Sequence, residues 1–158
     1  MKAIKYYAIA LIIIILDQIT KWVVVQRMEI GESIPVIENV FHFTSHRNAG
    51  AAFGILQGQM WLFYIATAIV LVFVTYYIQT QGKHNPLFGI SLGLVLGGAI
   101  GNFIDRILFN EVVDFIDVYI FAYNFPIFNV ADSALVVGVG LLIVYVFIED
   151  RKQEKKDD

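Results

Sequence analysis

Four long apolar runs, separated by shorter polar stretches, dominate the chain. They extend from about Tyr6 to Val25, Met60 to Ile78, Leu87 to Ile107 and Val130 to Ile148. Each approaches the roughly 20 residues that a helix needs to cross about 30 Å of hydrocarbon. Lipid offers no partner to backbone N–H and C=O groups, so such runs are expected to be helical. A soluble helical bundle would need polar outer faces, which runs this apolar do not provide.

The connections are unequal. TQGKHNP, between the second and third runs, reads as a short turn, whereas about Gln26–Gln59 and Leu108–Asn129 are long enough to carry function. In the first long loop, IPVIENVFHFTSHRN partly alternates and predicts one or two strands at the membrane surface. In the second, VVDFIDVYIF is apolar except at Asp114 and Asp117. Three residues apart, these two would share one face of a short interfacial helix. That helix or a loop is the expectation there, with a strand also open. Gly89, Gly93, Gly97 and Gly101 form a smooth stripe on the third run. The stripe permits close helix contact, within the chain or with another copy. No internal repeat is visible.

Composition agrees with a lipid solvent. Hydrophobic residues make up 58% of the 158 and charged residues 16%, against about 25% charged in ordinary soluble domains. The mean hydropathy is +0.70. The fold class expected is an all-α membrane protein with four transmembrane helices and a small extracytoplasmic β-rich segment, in one integral membrane domain over 1–158. A net charge of -3 argues for no nucleic-acid partner. The absence of cysteine excludes disulfides, thiolate metal sites and a Cys nucleophile.

Lys2 and Lys5 precede the first run as in a signal peptide. The run is nevertheless too long, contains Asp17 and Lys21, and lacks a small-x-small cleavage site, so it is read as retained. Lys2, Lys5, Lys83, Arg151, Lys152, Lys155 and Lys156 fall on one side of the four spans. Arg27, Arg47 and Arg106 fall on the other. The positive-inside rule then places both termini in the cytoplasm. The tail 149–158, EDRKQEKKDD, is expected to be a frayed, solvated end.

Charges in or beside membrane spans cost roughly 2.5–3.5 kcal/mol each on insertion scales and need a reason. Asp17 and Lys21 lie in the outer half of span one, four apart. Asn102, Asp105 and Arg106 end span three on the outer side, Asp132 starts span four there, and Asp114 lies in the loop at a similar level. Polar groups from three spans and one loop therefore meet at a single depth. Each has a bland explanation. Asp17–Lys21 can be a structural ion pair, Asp105 and Arg106 interface anchors, and Asp114 and Asp117 the wet face of a surface helix. Asn129 can be an N-cap, with Asp132 in the first turn. Convergence at one depth is harder to explain in pieces. His42 and His46 lack the further ligands and the HExxH pattern of a zinc site, and nothing ties Ser133 to Lys21 for Ser–Lys chemistry. No metal and no cofactor is expected.

These residues carry a resemblance. LDQITK around Asp17 and Lys21, RNAGAAFG from Arg47 to Gly54, GGAIGNFIDR from Gly97 to Arg106, VVDF around Asp114 and FNVADS from Phe128 to Ser133 occur in order. Over essentially its whole length the chain resembles lipoprotein signal peptidase, signal peptidase II. The resemblance implies a membrane-embedded aspartyl endopeptidase of the bacterial cytoplasmic membrane. Its substrates would be prolipoproteins carrying a diacylglyceryl group on the lipobox cysteine, cut just before that cysteine. It implies Asp114 and Asp132 as the catalytic pair. Asp17, Lys21, Asn48, Gly50, Asn102, Arg106, Asn129 and Ala131 match positions that shape or support such a site. Membrane lipids are the other expected partners, with the protein monomeric. The readings from other classes are a small proton-coupled transporter using Asp17 and a non-catalytic assembly factor using the glycine stripe. The first predicts a mid-membrane site reachable from both sides, and the second leaves the gathered acids unexplained.

Overall fold

The computed structural model describes residues 3–50, 55–121 and 123–157, the last three as backbone only. Lys2, the side chains of Lys155 and Lys156, and the second half of the RNAGAAFG motif (51–54) lie outside the described residues.

Helix α1 spans Ile4–Arg27, followed by strands β1 (Ser33–Ile37) and β2 (Phe41–Asn48). Helix α2 spans Met60–Tyr77 and runs on through a π-turn, Ile78–Gly82. Helix α3 (Pro86–Phe109), strands β3 (Val112–Ile120) and β4 (Tyr123–Asn124), and helix α4 (Val130–Asp157) complete the chain. Four of the helical stretches among the described residues are long and apolar enough to cross a membrane. Local signals set their ends. Asn85 caps α3, accepting from the Phe88 N–H at 3.2 Å, and Pro86 occupies the first turn, where its missing N–H costs nothing. Asn110 ends α3 in the left-handed conformation, φ 58°.

Helix α3 is the hub. More than half of its central window is buried, whereas α1, α2 and α4 turn most of their residues outward. Apolar side chains such as Leu11, Ile65, Phe73, Val136 and Phe147 are more than half or nearly half exposed, as expected when lipid is the solvent. The glycine stripe faces α1 of the same chain. A Cβ on Gly89 would fall within 2.5 Å of three ring atoms of Tyr6, and one on Gly97 would sit 2.9 Å from the Ala10 carbonyl oxygen. Leu side chains are as well solvated by lipid tails as by one another, so the close packing that small residues allow becomes a main source of helix association.

Two expectations need correction. Residues 112–120, where the sequence pattern favours a short interfacial helix or a loop and leaves a strand open, form strand β3. Its Val and Ile residues suit a pleated surface, and β2 supplies hydrogen-bonding partners along most of its length. Asp114 and Asp117 therefore point to opposite faces rather than sharing one. The tail does not fray at 149 either. Helix α4 continues to Asp157, helped by Lys152 pairing with Glu149 at 2.7 Å.

The strands form an antiparallel sheet in the order β1-β2-β3-β4. It sits over one end of the helices, where Val113 and Phe115 of β3 bury against Val24 of α1, with Met28 and Val130 alongside.

Candidate active site

At the sheet end of the helices, α1 and α3 share a buried ion cluster. Lys21, 3% exposed, reaches Asp17 at 2.8 Å, Asp105 at 3.0 Å and the Asn102 side-chain oxygen at 2.9 Å, which uses all three ammonium protons. Gln18 donates to Asp105 at 2.9 Å and to Asp17 at 3.2 Å. The remaining lone pairs reach backbone. Asp17 Oδ1 accepts from the Ala131 N–H at 2.9 Å, and Asp105 Oδ2 from the Val113 N–H at 3.1 Å. Ala131 precedes Asp132, and Val113 precedes Asp114. One buried cation thus organises the backbone beside both acids of interest. A buried ion group of this kind is costly to break, at about 3–5 kcal/mol when one partner is lost.

Asp114 comes from β3 and Asp132 from the first turn of α4, and amides join them. Asn129 caps α4, its Oδ1 accepting from the Asp132 N–H at 2.9 Å while Asp132 Oδ2 accepts from the Asn129 N–H at 3.2 Å. The same Asn129 donates from Nδ2 to Asp114 Oδ1 at 2.7 Å and to Asn102 Oδ1 at 3.0 Å. Asn102 donates to Asp132 Oδ1 at 2.7 Å, and Asn48 donates to Asp114 Oδ2 at 3.0 Å. All four carboxylate oxygens accept from amides, and no cation lies within ion-pair distance of either acid among the described residues.

The consequence is electrostatic. Burial pushes the Asp114 carboxyl up from its ordinary 3.8 to about 7, and the neighbouring Asp132 carboxylate pushes it the same way. The bonds from Asn48 and Asn129 and the more distant Lys21 charge oppose the rise. Two acids held side by side without a counter-ion favour one shared proton.

Gly50 donates its N–H to Asn48 Oδ1 at 2.9 Å, which aims the other end of that amide at Asp114. A Cβ there would sit 2.6 Å from the Ile55 carbonyl oxygen, so only glycine fits. Arg106 donates to the Gly50 carbonyl at 3.4 Å and stacks over Phe63 at 4.4 Å. Ala131 is fully buried, with its neighbour Gly101 against Asp17. Every expected supporting residue thus stands in or beside this network, though Lys21 and Arg106 form their direct bonds with neighbours of the acids and reach the acids only through longer-range charge. Sequence reasoning left out two members. The sequence pattern counts Asp105 among the polar groups at that depth, with an interface anchor as its bland explanation, but not among the supporting residues, although it lies three residues after Asn102 and shares its helix face. Gln18 carried no signal. Asp117 lies on the other face of β3.

Four apolar helices with a capping sheet and a buried acid pair define a multi-pass membrane protein with an enzyme-like site. Residues 9–148 match the sequence profile of the signal peptidase (SPase) II family. A lipoprotein signal peptidase from Halalkalibacterium halodurans is 62% identical over 151 residues, covering 96% of this chain and 97% of that protein. Two solved bacterial membrane enzyme structures, obtained by the in meso method, align with TM-scores of 0.88 and 0.83. The first is 45% identical and covers 92% of this chain and 89% of its own; the second is 46% identical and covers 90% and 92%. The chain belongs to the signal peptidase II family.

Proposed function

We propose that this protein is an aspartyl endopeptidase that removes the signal peptide from diacylglyceryl-modified prolipoproteins, cutting just before the lipobox cysteine. The carrying observation is the acid pair: Asp114 and Asp132, from separate elements, linked through Asn129 and Asn102 and ion-paired with no cation among the described residues.

The pair shares one proton, and its apparent values belong to both groups together. The ionised member takes a proton from a water held between them. That water's oxygen attacks the scissile carbonyl carbon while the protonated member donates to the carbonyl oxygen. On collapse of the tetrahedral intermediate the protonated member gives its proton to the departing cysteine amine, while the ionised member takes one back from an intermediate hydroxyl, so the pair again holds one proton. No metal and no covalent intermediate enters. The signal peptide is itself an apolar helix and the diacylglyceryl group anchors the cysteine in the outer leaflet. The scissile bond then lies at the depth of the sheet, on the extracytoplasmic side of the bacterial cytoplasmic membrane with both termini in the cytoplasm. In this reading Asn48 meets the substrate backbone, and the VVDFIDVYIF segment, which ends on the exposed Phe121, covers the substrate. Asn129, fully buried with both ends of its amide bonded, orients the acids instead. Asp17 is fully buried and bonded through both oxygens, which supports a structural part for it rather than a transporter's exchange site.

The test uses the purified protein in detergent with a lipidated prolipoprotein. Asp114→Asn and Asp132→Asn are each expected to fold normally and to lose cleavage. Retained cleavage in either variant removes that residue from the pair.

A further inference from the structure

Strand β2 carries one residue more than its partner requires. Phe41, His42 and Phe43 pair with Val118, Asp117 and Ile116, but His46, Arg47 and Asn48 pair with Asp114, Val113 and Val112. Thr44 and Ser45 therefore both stand opposite Phe115, which is a β-bulge. The bulge decides which β2 side chains share a face with Asp114. With it, His46 and Asn48 do, and Asn48 donates to Asp114 at 3.0 Å. In an unbulged continuation of the first register, Ser45 would oppose Asp114 and Arg47 would take the place of Asn48 opposite Val112. Side chains alternate along a strand, so a slip of one residue exchanges the two faces. A guanidinium beside Asp114 would favour its ionised form and oppose proton sharing. In the bulged register Arg47 instead bonds Ser45 Oγ at 3.4 Å and approaches Glu111 at 3.7 Å.

A chain of polar groups holds the bulge. Thr44 donates to Asp117 Oδ2 at 2.7 Å, and its hydroxyl meets that of Ser33 on β1 at 2.8 Å. Ser33 also meets His42 Nδ1 at 3.3 Å. Backbone bonds clamp the second bulge residue, with the Ser45 N–H donating to the Glu32 carbonyl at 2.9 Å and the Gly31 N–H to the Ser45 carbonyl at 2.8 Å. Asp117 is 2% exposed and takes no part in the acid pair. β1 is exposed along its whole length, so apolar burial contributes little to the register there. A buried acceptor aimed at the bulge hydroxyl contributes what burial does not.

We propose that the Asp117–Thr44–Ser33 hydrogen-bond chain locks the bulge that delivers Asn48, and not Arg47, to Asp114. Thr44 and Asp117 are then positioning residues for the acid pair. This rests on the proposed peptidase reading.

The full-length protein in detergent, with a lipidated prolipoprotein, provides the test. Thr44→Val keeps the shape and removes the hydroxyl. It is expected to lower kcat about tenfold, the size of one hydrogen bond to a charged group, with KM changed less than about twofold. Thr44→Ser should recover most of that loss. In a background carrying both Asn48→Ala and Arg47→Ala, Thr44→Val should cost almost nothing further, because the lock acts through which of these two side chains reaches Asp114. Asp117→Asn provides the same cycle through a second variant, with a smaller loss in the same direction. Unchanged kcat in both variants, or a loss that multiplies with that of the Asn48→Ala, Arg47→Ala background, overturns the lock. Cleavage retained by Asp114→Asn or Asp132→Asn overturns instead the acid-pair reading beneath it.

Discussion

Asp114 shows how much a few neighbours change one ordinary side chain. Its motif, VVDF, reads as an apolar segment with a single acid. Burial and the Asp132 carboxylate carry its value to about 7. A carboxyl whose folded value exceeds its unfolded value binds its proton more tightly in the folded chain. Its contribution to stability is therefore present at low pH and lost as pH rises from about 4 to about 7, at no more than about 1.4 kcal/mol per pH unit. Wild type should thus lose stability relative to Asp114→Asn across that window, read as the difference between their thermal midpoints in detergent at each pH. Identical pH dependence in the two proteins would remove the buried acid from the account. The amides at Asn48, Asn102 and Asn129 set the orientation of the pair without neutralising it. Lys21 is one candidate counter-ion, and Asp17 and Asp105 keep it occupied.

Helix contacts depend on the absence of side-chain atoms at particular points. A Cβ at Gly97 would meet the Ala10 carbonyl oxygen at 2.9 Å, whereas one at Gly140 on α4 meets nothing within 4 Å. Gly97→Ala is expected to destabilise the protein by about 1–3 kcal/mol through overpacking, and Gly140→Ala to leave it unchanged or slightly more stable through helix propensity. Unfolding of both variants in the same detergent gives the comparison, and equal effects would contradict the packing of α1 on α3. The four apolar runs were legible because lipid demands length and uniform apolarity. The strand β3 was not, since a short apolar segment with two acids three apart fits helix and strand equally well until a partner strand is known. The helical tail was missed for the opposite reason: its charges suggest solvent, and solvent does not forbid a helix.

An even number of spans would put both termini on the same side of the membrane, and the positive-inside rule predicts that this side is the cytoplasm. Reporter fusions at residues 1 and 158 should therefore both be active in the cytoplasm, while one inserted in the β1–β2 turn near Glu38 should be active outside. A reversed result would also reverse the face assigned to the acid pair. The linear chain already contained the solvent, the number of long apolar helices and most of the polar residues that gather at the proposed site, because hydrocarbon penalises every polar group and leaves the exceptions visible. It did not contain the partners of those residues. That Asp105 and Gln18 join Lys21, that one asparagine touches both acids, and that an extra residue in β2 turns Arg47 away from Asp114 depend on elements far apart in sequence coming within about 3 Å of one another. Hydrogen bonds at that range are settled by packing and strand register, neither of which a pattern of polar and apolar positions encodes.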